Sequence, residues 1–218
     1  QLGGCRKGLR ELEAKGWFQL PRPEIHKGGP APRRLSQPVP EPEAVPAEVG
    51  DVSGLELILV EQESQMRIWN ELMIGEHPQG AGPLVGRQIR YLIGSAHGWL
   101  AGFGFAAPAL QLADRDRWIG WDSEQRRAHL QGVLCLSRFL IRPSVECRNL
   151  ASRLLSMSLQ QVVEDFQRRY HYRPWLVESF LDTSRFSGAS YRAANWILVG
   201  QTKGRGRQDR FSQREKTI

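Results

Sequence analysis

Cysteine is scarce in this sequence, and the few cysteines are poorly spaced for a metal site. The 218 residues include only Cys5, Cys135 and Cys147, an odd number with no Cys-x-x-Cys pair. A structural zinc ion needs ligands at closer and more regular spacing than these three provide. We therefore expect buried, reduced thiols in a cytoplasmic protein that holds no metal ion and no other cofactor.

Long apolar runs are missing as well. No segment approaches the roughly 20 apolar residues that a membrane-spanning helix needs. No basic-then-apolar leader opens the printed sequence. These absences predict a protein that has no membrane partner and does not enter the secretory route.

Acidic side chains are too few to balance the basic ones. Thirty lysine and arginine residues face 23 aspartate and glutamate residues, which gives a net charge of +7. Six basic but only two acidic residues lie within 203–216, where glycines are interleaved with the charges. Such a segment can approach phosphates closely and bind nucleic acid with little sequence preference. We predict DNA as the partner and phosphate contacts from Lys203, Arg205, Arg207 and Arg210.

Proline divides the chain into parts. Eight of the thirteen prolines lie within residues 21–49, which we interpret as a linker. Residues 1–20 predict a helix that stops at Gly16 and then a short strand, similar to the end of a winged helix-turn-helix domain; alternatively, they form an isolated helix that packs on the main domain. We therefore expect this chain to be a fragment of a longer protein. Residues 50–202 are assigned to an α/β domain and residues 203–218 to a basic tail.

The α/β (α+β) assignment rests on the order of apolar patterns. Short apolar runs bounded by Pro or Gly predict strands, and apolar residues at three- and four-residue spacing predict helices. The longest helical pattern places Leu154, Leu155 and Val162 on one face and Asp165 on the polar face. We predict a mixed central sheet flanked by helices, with elements in the order strand 55–60, helix 61–76, strands 87–93 and 99–107 as a hairpin, helix and loop 108–131, strand 132–143, helix 149–170, strand 173–181, helix 187–195 and a strand from Trp196.

This order resembles that of the Gcn5-related N-acetyltransferase superfamily over about residues 55–202. In that superfamily a turn leads from a strand into a helix whose N-terminal amides bind the pyrophosphate of acetyl-CoA. The turn 146–151 corresponds to it, so the resemblance implies a cofactor site at Arg148, Asn149, Leu150 and Ala151. Tyr191 falls where some members keep a general-acid tyrosine; alternatively, it anchors a short helix. An acyl-CoA-dependent N-acyltransferase is thus one alternative, although Glu146 would oppose a pyrophosphate.

A metal-dependent nuclease is the second alternative. Metal-assisted phosphodiester cleavage needs two or three convergent carboxylates, and the candidates are Asp122, Glu178 and Asp182. Glu178 and Asp182 would share a face if a strand continued that far. These carboxylates, together with Asp114 and Asp116, can instead pair with nearby arginines.

Five segments are similar to a narrower family. They are RDRWIGWD (115–122), SRFLIRP (137–143), NLAS (149–152), ESFLDTSRFSG (178–188) and YRAANWILVGQTKGRGRQDR (191–210). They resemble the DruA-type proteins of Druantia anti-phage systems, whose relatives also occur beside or fused to transposases. The resemblance implies a context rather than a reaction. With the charge, it leads to the hypothesis of a DNA-associated defence or transposon-linked component that does not transfer acetyl groups and that works with other subunits of such a system.

Overall fold

The computed structural model describes residues 8, 9, 11–19 and 31–202. The chain divides into two compact units, Gln1–Ala31 and Pro32–Ile218. In the first unit residues 11–14 are helical, and the helix ends where Gly16 takes a left-handed backbone with φ 76°. The amide of Gly16 donates to the carbonyl of Glu13 over 2.9 Å. The predicted stop at Gly16 is therefore confirmed, while the winged-helix interpretation of residues 1–20 stays a prediction.

The second unit contains a five-stranded mixed sheet, which confirms the predicted fold class. Its strands lie side by side in chain order, and they are β1 (Glu56–Leu59), β2 (Ile89–Ser95), β3 (Gly98–Ala106), β4 (Val133–Ile141) and β5 (Leu176–Ser179). The first four strands pair antiparallel, and β5 pairs parallel to β4. The parallel pair requires a crossover, which the long helix between β4 and β5 provides.

Helices accompany the sheet. They are α1 (Glu63–Glu76), α2 (Ala113–Ile119), α3 (Ser123–His129), α4 (Leu150–Tyr170) and α5 (Ala189–Ala193). Short 3-10 turns occur at Val49–Asp51 and Leu130–Gly132. Across the described ranges, no helix has both the length and the apolar character that a membrane span requires.

Two helices bury the two faces of the sheet. Alternate residues of a strand point to opposite faces, and Tyr91 of β2 packs into the cluster beneath α4 while Leu92 packs into the cluster beneath α1. The α4 cluster includes Leu154, Leu155, Val162 and Phe166, and the α1 cluster includes Trp69, Leu72 and Met73. Burying each large apolar side chain stabilises the fold by roughly 1.5–3 kcal/mol. The predicted apolar face of α4 is therefore confirmed.

One residue of α4 does not lie where the pattern predicted. Asp165 was assigned to the polar face, but only 1% of its surface is exposed. Its carboxylate accepts a 2.6 Å hydrogen bond from the Tyr91 hydroxyl and pairs with Arg168 over 2.7 Å. The assignment was wrong because the partner that makes burial tolerable lies on a distant strand, and buried carboxylates need such partners.

The glycines of β3 admit a helix side chain close to the sheet. The Trp69 indole of α1 lies over Gly102 and Gly104, and its N–H donates to the carbonyl of Phe103 over 2.9 Å. A Cβ at Gly104 would lie 3.2 Å from the indole and 3.0 Å from a methyl of Leu84. The Gly/Ala content of this strand is thus explained by close packing.

The predicted strand from Trp196 is wrong within the described chain. Residues 196–200 belong to none of the five strands, and β5 ends at Ser179 rather than at residue 181. Ile197 and Leu198 are 61% and 71% exposed. The apolar run that suggested a strand therefore lies beside β5 without joining the sheet, and its Trp196 amide donates to the carbonyl of Tyr191 instead.

Part of the proline-rich segment is packed against the sheet. The buried Arg142 donates to the carbonyls of Val39 and Pro40 and pairs with Glu41 and Glu76. Residues 31–47 have no regular secondary structure. The contacts of Arg142 with the backbone of Val39 and Pro40 and with the side chain of Glu41 hold this segment against the sheet. The four-part division of the chain stays a prediction.

The described cysteines are free. Cys135 is buried and Cys147 is half-buried. Burial raises the pKa of the Cys135 thiol to about 12, so that thiol stays protonated and unreactive at neutral pH. Cys5 lies outside the described residues.

Candidate functional site

A groove of about 670 Å³ opens beside β5 at the edge of the sheet. Its walls come from β5, from Leu159 and Val163 of α4, from α5 and from residues 194–201. Most of the groove is apolar, and Trp118 and Trp175 are about half exposed along it. A concave, largely apolar site with a few polar groups is the usual form of a ligand-binding site.

Trp175 is held by packing at the base of the loop before β5. Its ring meets that of Trp121 edge to face at 5.6 Å. A Cβ at position 132 would collide with the Trp175 indole, so Gly132 is required for this arrangement. One wall of the groove is therefore a fixed aromatic surface.

An ion network lies at the polar end of the groove. Arg115 of α2 is 2% exposed, and its guanidinium pairs with Asp116 over 2.8 Å and with Glu178 over 2.9 Å. Arg126 of α3 reaches the second carboxylate oxygen of Asp116 over 3.0 Å. The backbone of Ala109 completes the network, because its amide donates to Glu178 and its carbonyl accepts from Arg115. We refer to Arg115, Asp116, Arg126 and Glu178 as the buried ion network.

The surroundings of Glu178 have opposing effects on its negative charge. Burial raises the pKa of the Glu178 carboxyl, while the Ala109 amide and the Arg115 guanidinium act in the opposite direction. Both carboxylate oxygens are occupied, one by the amide at 2.7 Å and the other by Arg115 at 2.9 Å. The network therefore satisfies the hydrogen-bonding capacity that buried charges require.

Tyr191 lines the groove from α5. Its hydroxyl lies 2.8 Å from the Ser179 hydroxyl, which itself donates to the carbonyl of Leu136 over 3.2 Å. Tyr191 is therefore the donor to Ser179. Burial raises the pKa of the Tyr191 hydroxyl to about 12, so the group stays protonated at neutral pH. Ser179 was not among the residues that the sequence suggested for the site. The only feature that could have indicated it is its position at the end of the short strand β5.

The turn before α4 is engaged by an upstream segment. Asn149 adopts a left-handed backbone with φ 61° directly before Leu150, the first residue of the helix. The amide of Arg148 donates to the carbonyl of Ala47 over 2.7 Å, and the Arg148 side chain pairs with Glu48. One amide and one cation of the predicted cofactor turn are thus already used within the chain. Leu150 is buried, and Ala151 is half-buried in the first turn of the helix.

The three candidate nuclease carboxylates lie in different local structures. Asp122 caps α3, where its oxygen accepts from the amides of Glu124 and Gln125 at 2.8 Å. Asp182 lies beyond the end of β5 and accepts from the amide and hydroxyl of Ser184. The strand face that Glu178 and Asp182 were expected to share does not extend to residue 182. In the described chain, no three His, Cys, Asp or Glu residues are grouped so that they could hold a metal ion.

The predicted phosphate contacts lie outside the described residues. These are Lys203, Arg205, Arg207 and Arg210, which follow the last described residue, Thr202. Gln201 is held at the groove, because its amide donates to Asp114 over 3.1 Å.

The mixed sheet with a groove at its parallel edge defines a single α/β domain, Pro32–Ile218, with a buried ion network beside the groove. The model of the family described as Druantia protein DruA matches residues 6–216. The chain therefore belongs to the DruA family, the family of a Druantia anti-phage system component, and the predicted resemblance to DruA-type proteins is confirmed. A search of curated proteins found no match.

Proposed function

We propose that this chain is a DNA-associated component of a Druantia anti-phage or transposon-linked system, and that it binds nucleic acid without transferring acetyl groups. The observation that carries the proposal is the excess of cationic side chains, 30 against 23 acidic ones, with six basic residues within 203–216. Phosphate backbones are the commonest large polyanions in a cell, and the family places the chain in a system directed against phage.

The buried ion network does not change this balance of charge. Asp116 and Glu178 pair with Arg115 and Arg126, so two acids and two bases cancel and the positive excess belongs to the other residues. The positive field that a polyanion meets is therefore set by the remaining exposed residues. We assign the first contacts to Lys203, Arg205, Arg207 and Arg210.

Fluorescence anisotropy with a labelled duplex and a labelled single strand tests the proposal. Replacing these four residues by alanine is expected to weaken binding and to reduce the slope of log Kd against log salt by about 0.9 for each lost phosphate contact. A matched control replaces Arg33, Arg67, Arg117 and Arg173, which are exposed and paired with carboxylates. The net charge changes equally in both variants. Equal loss in the two variants, or wild-type binding without salt dependence, would contradict the assignment.

An N-acyltransferase is a second candidate, because the Tyr191 hydroxyl lies inside the groove beside the parallel pair of β4 and β5. The crossover of β4, α4 and β5 after an antiparallel sheet also supports an acetyltransferase-like architecture. The use of the Arg148 amide by Ala47 favours the absence of acetyl-CoA binding. Titration calorimetry separates the candidates: micromolar binding of acetyl-CoA would contradict our proposal and favour the acyltransferase.

A metal-dependent nuclease is tested by incubating a labelled duplex with Mg²⁺ or Mn²⁺. Our proposal expects no cleavage, since Glu178 is fully engaged by Arg115 and the Ala109 amide. Metal-dependent cleavage that Glu178→Gln abolishes would overturn it. Other subunits of the defence system, or transposase domains, are the protein partners that we propose for the chain.

A further inference from the structure

A second cationic surface lies among the described residues of the folded domain. Arg87, two residues before β2, has its guanidinium over the rings of Tyr170 and Tyr172, at 5.8 and 5.0 Å from their centroids. Arg169, in the last turn of α4, lies 5.8 Å from the Tyr170 ring. Both arginines are exposed. We refer to Arg87, Arg169 and the rings of Tyr170 and Tyr172 as the arginine–aromatic surface.

Tyr170 joins the two elements that carry these arginines. Its hydroxyl donates to the carbonyl of Gln88 over 2.8 Å and accepts from the amide of Gln88 over 3.0 Å. The end of α4 and the start of β2 are therefore tied together by a phenol that satisfies both backbone groups of one residue. The surface has a fixed base rather than two independent loops.

Arg90 lies near this surface, on the face of β2 that α1 covers. Its guanidinium lies 4.9 Å above the Trp69 ring and donates to the Gln88 side chain over 2.6 Å. Its Nε is buried and has no hydrogen-bond partner. In the sheet register Arg90 and Arg138 lie on either side of Gly104, so two guanidinium groups share one face of three adjacent strands.

These arginines have no acidic partners among the described residues. The two fully buried arginines, Arg115 and Arg142, each pair with two carboxylates. Within the same described ranges, Arg87, Arg90, Arg138 and Arg169 take part in no ion pair, and Arg138 donates only to carbonyl and amide oxygens.

The charges also act on one another. Burial, and then the positive charges of Arg169 and Arg138, lower the pKa of Arg90. Stacking on aromatic rings stabilises each guanidinium but neutralises none of its charge. Like charges held together without counter-charges raise the potential at the surface, and an approaching polyanion would lower it.

We propose that the arginine–aromatic surface binds the phosphodiester backbone of a nucleic acid, as a second contact area in addition to the basic residues after Thr202. The inference rests on the proposed nucleic-acid binding and assigns part of it to the folded domain. Planar guanidinium groups with fixed orientation suit phosphate oxygens, since they can donate two hydrogen bonds to one group. The exposed guanidinium groups of Arg87 and Arg169 are the donors.

Binding of the full chain to the labelled duplex and single strand, across a salt series, tests this assignment. The variant Arg87→Ala/Arg169→Ala is expected to bind about tenfold more weakly and to lower the salt slope by about 0.9 for each arginine. The control Arg67→Ala/Arg117→Ala removes two exposed arginines that pair with Glu63 and Asp114, and it is expected to bind as the wild type does.

A lysine variant and an unfolding curve separate charge from structure. Arg87→Lys/Arg169→Lys keeps both charges and is expected to keep most of the salt slope. The urea midpoint of the alanine variant should match that of the wild type, which shows that lost binding is not lost folding. If the alanine variant binds as tightly as the control while the wild type binds, this inference is overturned and the proposed function stands. If the wild type binds neither probe, both are overturned.

Discussion

Arg115 and Arg90 are both withdrawn from water, yet the protein surrounds them in opposite ways. Arg115 is enclosed by Asp116 and Glu178, and its charge is neutralised within the fold. Arg90 lies on the Trp69 ring beside Arg138 and Arg169 without an acidic side chain in the described chain. The two sites show that the position of the counter-charge, and not burial alone, decides whether the charge of a guanidinium is neutralised within the fold.

The largest effect is expected in the buried ion network. Arg115→Met keeps much of the apolar stem but leaves Glu178 buried with only the Ala109 amide as donor. We expect unfolding to become easier by about 3–5 kcal/mol, the range for breaking one side of a buried ion pair. Urea denaturation followed by circular dichroism measures it.

The control for this prediction lies two residues further along α2. Arg117 is 78% exposed and pairs with Asp114 on the surface, so Arg117→Met should change stability by less than about 0.5 kcal/mol. If the two variants lost equal stability, the contrast between enclosed and exposed arginines would not hold for this helix.

An intermediate effect on stability is expected at His77, whose pKa is lowered in part by the charge of Arg138. Burial, and then the Arg138 charge, lower the pKa of His77 from 6.5 to about 4. Between those values the unfolded chain binds the proton and the folded chain does not, so stability is complete above pH 6.5 and is lost as the pH falls toward 4. We expect a loss of about 1 kcal/mol at pH 5, allowing for partial exposure.

This pH dependence has a direct check by substitution. The His77 ring accepts from the amide of Gln79 over 3.1 Å, and an asparagine oxygen can replace that acceptor without titrating. His77→Asn should therefore flatten the change in urea midpoint between pH 7 and pH 5. A variant whose stability still fell as steeply as that of the wild type would assign the dependence to another group.

The smallest effect is expected at Arg90. Arg90→Met removes a buried Nε–H that has no acceptor, which favours the variant, and also removes the stacking on Trp69, which does not. We expect the two effects to offset each other to within about 1 kcal/mol, as measured by urea unfolding. A loss of stability as large as that expected for Arg115→Met would mean that Arg90 is needed mainly for the stability of the fold.

Local patterns predicted most of the elements but few of their contacts. The spacing of Leu154, Leu155 and Val162 was sufficient to predict α4, because the three- and four-residue repeat of a helix is visible in a short stretch of sequence. The glycines of β3 predicted that another element packs closely against this strand, but they did not predict that Trp69 of α1 is the side chain that does so. Asp165 was misplaced because its partner, Tyr91, lies 74 residues away.

The candidate site was harder to predict for the same reason. Arginines near Glu178 suggested ion pairs, and Arg115 does pair with it. Nothing local distinguished Arg115 from Arg90, since the presence or absence of a carboxylate is decided by which strands and helices become neighbours. The apolar run after Trp196 matched a strand equally well whether or not a partner backbone lay beside it.

The double hydrogen bond between Tyr170 and Gln88 has a consequence for affinity. It joins two parts of the chain, next to Arg87 and next to Arg169, so a polyanion would meet two arginines on one fixed base. Much of the motional freedom of that region is then lost during folding and not at the moment of association, and less of each contact is offset by ordering. The Tyr170 hydroxyl would in this way lower the entropic cost of binding a polyanion.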